Sequence, residues 1–239
     1  MVLFLFVFAA GCAPEEPEVA AAAEPLVATT SSADGVSIEY EMRGAGPVAL
    51  VFIHGWTCDR THWRYQVDTF AEGHTVVALD LAGHGKSGGD RGEWTIEGFG
   101  ADVQAVVEAL ELPRVILVGH SLGGPVALAA AARMPERVLG VVGVDTLHNV
   151  EQQIDAEGWD RLIAMYENDF VGTCERFAEM MFPEPTEDPE LPSWTRENMC
   201  DADPEIAIAI SRMMPKLDTP ALLAAAGVPV RCINSTKVG

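Results

Sequence analysis

From Val36 onward the chain alternates between short, β-branched apolar runs and longer stretches whose apolar residues recur at helical spacing. The segment "VSIEYEMRG" (36–44) switches between apolar and polar at nearly every step, the pattern of a strand at a sheet edge, whereas "PVALVFIHG" (47–55) is apolar throughout, like a strand buried on both faces. The strand-like "HTVVALDLAG", the helical "TIEGFGADVQAVVEALEL", the strand-like "RVILVGHS", a helix from Leu122 to Met134 and the strand-like "VLGVVGVDT" follow. Buried strands alternating with helices predict an α/β domain: a mostly parallel sheet with helices on both faces. Ligands on such sheets gather outside the carboxyl ends of the strands. The residues that close "FIHGW", "ALDLAGHG", "LVGHSLG" and "GVDTLH" are therefore expected along one edge.

The alternation stops at residues 147–227, where segments rich in Trp, Phe, Tyr and Met (Trp159, Tyr166, Phe170, Phe177, Trp194) surround the loop "FPEPTEDPELPS", and it resumes in "GVPVRCIN". This predicts a core made of residues 34–146 and 228–239, with a helical cap of residues 147–227 over the strand ends.

The first residues read differently. "MVLFLFVFAAGC" is an apolar run too short to span a bilayer core, which needs about 20 residues, and is expected to be a signal peptide over residues 1–11. Ala9, Ala10 and Gly11 before Cys12 resemble the lipobox of bacterial lipoproteins, which implies lipidation of Cys12 and a protein exported and lipid-anchored to the bacterial cell envelope; a plain secretory signal is the alternative. Residues 12–33, rich in Pro, Ala, Glu and Ser and without periodicity, are expected to be a disordered tether. The chain of 239 residues carries a net charge of −21, with 36 acidic residues against 15 basic ones. No basic stripe is present, which argues against nucleic acid and anionic lipid surfaces as partners. Of the cysteines other than Cys12, Cys174 and Cys200 are the preferred bridge because both fall in the cap; free buried thiols remain open. No pair has zinc-site spacing, so no metal or other cofactor is expected.

Gly119-His120-Ser121-Leu122-Gly123 fits G-x-S-x-G between a buried strand and a helix. A turn that sharp strains the serine backbone, presents its hydroxyl at the sheet edge and aims the N–H of Leu122 at the same point. "GKS" at 85–87 does not make a phosphate loop, because the glycine required five residues before Gly85 is Asp80. With "HGW" at 54–56, "DLAGHGKS" at 80–87 and "GHSLGG", the chain resembles the α/β-hydrolase superfamily over nearly everything from Val36 onward. That resemblance implies the α/β-hydrolase fold, Ser121 as nucleophile, oxyanion donors at Trp56 and Leu122, a structural role for His54, and Asp145 as the acid after the sixth strand.

The base is the missing part. Four histidines (His54, His62, His74, His84) precede Ser121, His120 is expected to point away, and His148 alone follows. The family places its histidine after one further strand, so the expectation is a C-terminally truncated chain that lacks its last strand and helix, a loss on the order of 30 residues, and is impaired in catalysis. Substitution by His148, three residues from Asp145, is the second reading. The implied activity is hydrolysis of small, apolar carboxylic esters or related acyl compounds through an acyl-enzyme. A C–C bond hydrolase, a cofactor-free haloperoxidase and a non-catalytic protein that keeps the pocket are the alternatives.

Overall fold

The computed structural model describes residues 25–151, 155–182 and 188–235. The expected signal peptide, Cys12 and the first half of the tether lie outside them. Seven strands, β1 (Leu26–Ser31), β2 (Ser37–Arg43), β3 (Ala49–Ile53), β4 (Thr75–Leu79), β5 (Val115–His120), β6 (Val138–Val144) and β7 (Val230–Ile233), form one sheet in the order β1-β2-β4-β3-β5-β6-β7. β1 and β2 are antiparallel to their neighbours and the remaining strands are parallel. This is the α/β-hydrolase fold.

The continuous apolar runs are explained by the layers. Val51, Ile53, Val77, Leu79 and Leu117 enter one cluster with α2 (Ile96–Ala109) and α3 (Gly123–Arg133), whereas Phe52, Val76, Ala78 and Val118 enter another with Val67 of α1 (Arg64–Ala71). Successive residues of a strand point to opposite faces, so both faces must be apolar where helices cover both. Each large side chain so buried contributes about 1.5–3 kcal/mol. Thr95 caps α2 by accepting from the Gly98 N–H at 3.0 Å. Helix α3 is alanine-rich and buried along its length, which lets α2 approach closely: a methyl placed on Gly100 would lie 3.0 Å from the Ala129 methyl.

Two expectations need correction at the amino-terminal side. Residues 26–31, assigned to the tether, form β1, and β1 rather than β2 is the sheet edge. Leu26 and Val27 of β1 stay exposed (44% and 53%) and only Ala28 packs against the core, so burial alone does not hold it. Its ladder with β2 does, together with an ionic network centred on buried Asp102: the Asp102 carboxylate accepts from Ser32 Oγ at 2.6 Å and from Arg91 Nη2 at 2.6 Å, and Arg91 Nε donates to the exposed Asp34 at 2.7 Å. This network ties the β1–β2 turn to α2. Removing one partner of such a pair costs about 3–5 kcal/mol because the other charge is left buried alone.

Beyond β6 the chain forms α4 (Ala156–Asn168), α5 (Phe170–Met180), α6 (Leu191–Cys200), α7 (Pro204–Ser211) and α8 (Thr219–Ala226). Helix α8 packs against α3, so the segment read as cap up to residue 227 gives its last helix to the core layer. Cys174 and Cys200 are bridged, joining α5 to α6 with a Cα–Cα distance of 5.6 Å. Cys58 is a buried thiol whose pKa burial pushes up to about 12, and Cys232 is an exposed one.

Candidate active site

The parallel register brings the ends of four strands level. Ile53 of β3 pairs with Gly119 of β5, Gly119 with Gly143 of β6, and Val144 of β6 with Ile233 of β7. The residues that follow them, 54–57, 121–123, 145–148 and 234–235, therefore meet at one edge, as the pattern of strand ends predicts.

Ser121 joins β5 to α3 with φ +50°, in the left-handed region. Its N–H donates to Val144 O at 3.2 Å, and its C=O accepts from Gly124 N at 2.9 Å and Thr146 Oγ1 at 2.8 Å. The flanking glycines are obligatory here. A methyl on Gly119 would lie 2.1 Å from Gly123 O, and one on Gly123 would lie 2.3 Å from Ile53 O. With its own N–H and C=O both engaged, Ser121 leaves its side chain exposed at the edge.

The β3 loop lies against this turn: a methyl on Gly55 would be 3.3 Å from Ser121 Cβ. Among the described residues, neither the Trp56 N–H nor the Leu122 N–H has a hydrogen-bond acceptor. Unengaged amides at the same edge as an exposed hydroxyl are groups able to donate to a developing oxyanion. Strain gathers in the same place. Of the five non-glycine residues with positive φ among those described, Thr57, Ser121, Asp145 and Leu147 all belong to this edge. Each costs on the order of 1 kcal/mol and must be held by its surroundings.

His54 holds the loop. Its Nε2 accepts from Leu81 N at 3.0 Å, its Nδ1 faces Gly55 O at 2.8 Å, and burial keeps its pKa well below the usual imidazole value. His120 lies beside Gly55 and edge-on to Trp63, and burial followed by the nearby His62 charge lowers its pKa. Asp145 is exposed, with φ +47°. Its N–H donates to Ile233 O at 2.9 Å, and its Oδ1 lies 3.3 Å from both Ser235 N and His148 Nε2. Ser121, Trp56, Leu122 and Asp145 thus share one edge, and His148 meets Asp145. Among the described residues no imidazole hydrogen-bonds Ser121 Oγ.

Thr146 and Asn234 escaped the sequence reading. Thr146 Oγ1 pins the Ser121 carbonyl while Asn234 Oδ1 accepts from Thr146 N at 3.1 Å, so β7 reaches the elbow through Thr146. The threonine closing "GVDT" was the available signal; its partner, 88 positions away, was not.

Fold and site together define an alpha/beta hydrolase. The profile of that family, described as alpha/beta hydrolase fold, matches residues 48–185, and the chain belongs to it. An esterase from Exiguobacterium antarcticum superposes with a TM-score of 0.78 at 24% identity, over 87% of this chain and 80% of that one. The dihydrolipoyllysine-residue acetyltransferase component of the acetoin cleaving system of Cupriavidus necator is 37% identical over 108 residues, 45% of this chain and 29% of that protein. A non-heme chloroperoxidase of Streptomyces lividans is 35% identical over 130 residues, 53% of this chain and 47% of its own length. The chain spans less than half the length of each of these two relatives.

Proposed function

We propose that this hydrolase is a serine esterase that cleaves small, apolar carboxylic esters or related acyl compounds through an acyl-enzyme. The observation that carries the reading is Ser121 itself: an exposed hydroxyl on a left-handed strand-to-helix turn, at the same sheet edge as two unengaged amides. Ser121 Oγ attacks the acyl carbon as its proton passes to a base, and the carbonyl electrons move onto oxygen, where Trp56 N–H and Leu122 N–H donate. Such donors are each worth about 3–4 kcal/mol in a dry site. Collapse expels the alcohol with a proton and leaves the acyl-serine, which water hydrolyses by the same path in reverse. Asp145 serves as the carboxylate that orients the base. The described residues do not deliver that base to Ser121: His148 follows the family order Ser, Asp, His but contacts only the acid.

Similarity to the Streptomyces lividans chloroperoxidase supports a second reading, a cofactor-free haloperoxidase built on the same serine. A non-catalytic protein that retains the pocket is a third, supported by the lack, among the described residues, of an imidazole hydrogen-bonded to Ser121. Hydrolysis of a panel of 4-nitrophenyl esters discriminates them. The esterase reading expects turnover of uncharged, apolar acyl groups that Ser121→Ala abolishes, and fastest turnover of anionic esters would overturn the substrate assignment. We also propose that the protein is exported and anchored through lipid on Cys12, a reading supported by the Cys174–Cys200 bridge, since such bonds persist in oxidising compartments.

A further inference from the structure

The main chain of Trp56 lies at the site edge, and its side chain packs against both the main core and the cap. Indole Nε1–H donates to Ala207 O of α7 at 2.9 Å. The ring lies 5.0 Å from Tyr166 of α4, and 6.4 and 6.1 Å from Phe170 and Phe177 of α5. Three cap helices therefore hold one residue of the β3 loop. The same apolar cluster contains Cys174, which is fully buried and ties α5 to α6. Helix α6 returns to the loop three residues further on, where Asn198 Nδ2 donates to Asp59 Oδ2 at 2.9 Å. Burial opposes ionisation of Asp59, but hydrogen bonds from His62, Thr61 and Asn198 outweigh it and hold its carboxyl well below the usual range.

Residues 56–59 are thus gripped at both ends by the cap, and the two grips are joined by the disulfide. Core anchors flank this stretch, with His54 Nε2 accepting from Leu81 N before it and Arg60 N donating to Asp80 after it. Gly55 has no side chain, and Thr57 sits in a left-handed conformation with its buried hydroxyl unpartnered. Oxyanion donors act only when they sit about 2.7–3.1 Å from the charge, and a misplacement of about 1 Å can lower the rate 10²-fold.

We propose that Trp56 is a positioning residue through which the cap, locked by Cys174–Cys200, sets the place of the Trp56 amide, so that cap and oxyanion site form one mechanical unit. This rests on the serine-hydrolase reading for its effect on rate, though not for its effect on the loop. The test uses the full chain, Trp56→Phe, which keeps a ring and loses the N–H, and the Cys174→Ala/Cys200→Ala double variant. Two readouts are followed: kcat and KM for 4-nitrophenyl acetate, and amide hydrogen exchange resolved to residues 55–58. Both variants are expected to lower kcat at least tenfold with KM within threefold. Exchange at 55–58 should rise at least tenfold while the strands keep their protection. An unchanged kcat in a chain with Ser121-dependent turnover would overturn the proposal, and so would exchange that rises uniformly or not at all at 55–58. If the unsubstituted chain shows no Ser121-dependent turnover, that failure belongs to the hydrolase reading, and exchange at 55–58 alone decides the coupling.

Discussion

Gly123→Ala probes the contact between the nucleophile turn and the β3 loop. A methyl at this position would lie 2.3 Å from Ile53 O and 2.8 Å from His54 O, where ordinary contact begins at 3.4 Å. The opposing atoms are main chain at the end of a central strand, so no side chain can swing aside, and α3 must back away by about 1 Å. Overpacking of this kind costs about 1–3 kcal/mol, and main-chain opposition places the cost near the upper end. At about 2–4 °C per kcal/mol for a chain of this size, Tm should fall by about 6–12 °C. The same displacement separates the Leu122 amide from the Trp56 amide and should slow modification of Ser121 by a fluorophosphonate about 10²-fold. Thermal unfolding and the second-order labelling rate are measured beside Gly92→Ala, whose added methyl meets nothing within 4 Å and should stay within about 0.5 kcal/mol of the parent. A Gly123→Ala protein that melts within 2 °C of the parent, a limit of about half a kcal/mol, and labels at the same rate would refute the assignment of a tight elbow.

Three further outcomes follow from the structure. Burial pushes the pKa of His84 down to about 4, so the unfolded chain takes up a proton near pH 6.5 that the folded chain refuses; His84 therefore contributes a stability present above pH 6.5 and lost as pH falls toward 4, on the order of 3 kcal/mol at the lower limit. Burial of Asp80 and Asp102 raises their pKa and acts in the opposite sense, so the quantity to measure is the difference in urea unfolding between the parent and His84→Asn, which should flatten across that window; identical curves would contradict it. His148→Ala should leave fluorophosphonate labelling within about twofold, because His148 contacts Asp145 and not Ser121; a loss of about 10²-fold or more would identify it as the base. Cys12→Ser should move the protein from the membrane to the soluble fraction, since stable anchoring takes two or more acyl chains; unaltered membrane retention would refute the lipid anchor.

What could be read from the sequence was whatever depends on neighbours in the chain. The strands β3 to β6 announce themselves as apolar runs because both their faces are covered, and the elbow announces itself because only glycine fits at Gly119 and Gly123. β1 was missed for the converse reason. Leu26 and Val27 stay exposed, and the strand is held by a ladder and by Asp102, 70 positions from its partner Ser32. The reach of the cap was overestimated because Thr219–Ala226, alanine-rich like α3, carries no periodic mark saying which layer it joins. The grip on Trp56 was invisible too: its indole acceptor, Ala207, lies 151 positions away and is a backbone oxygen that any residue would supply.

Ser121 as a nucleophile served by the Trp56 and Leu122 amides is open to a direct test. The direct measurement is mass spectrometry of the purified chain after exposure to a fluorophosphonate, with the adduct mapped by peptide. One adduct is expected, on the peptide that carries Ser121, absent from Ser121→Ala and formed more slowly in Trp56→Phe. An unmodified Ser121, or an adduct that persists in Ser121→Ala, would contradict it.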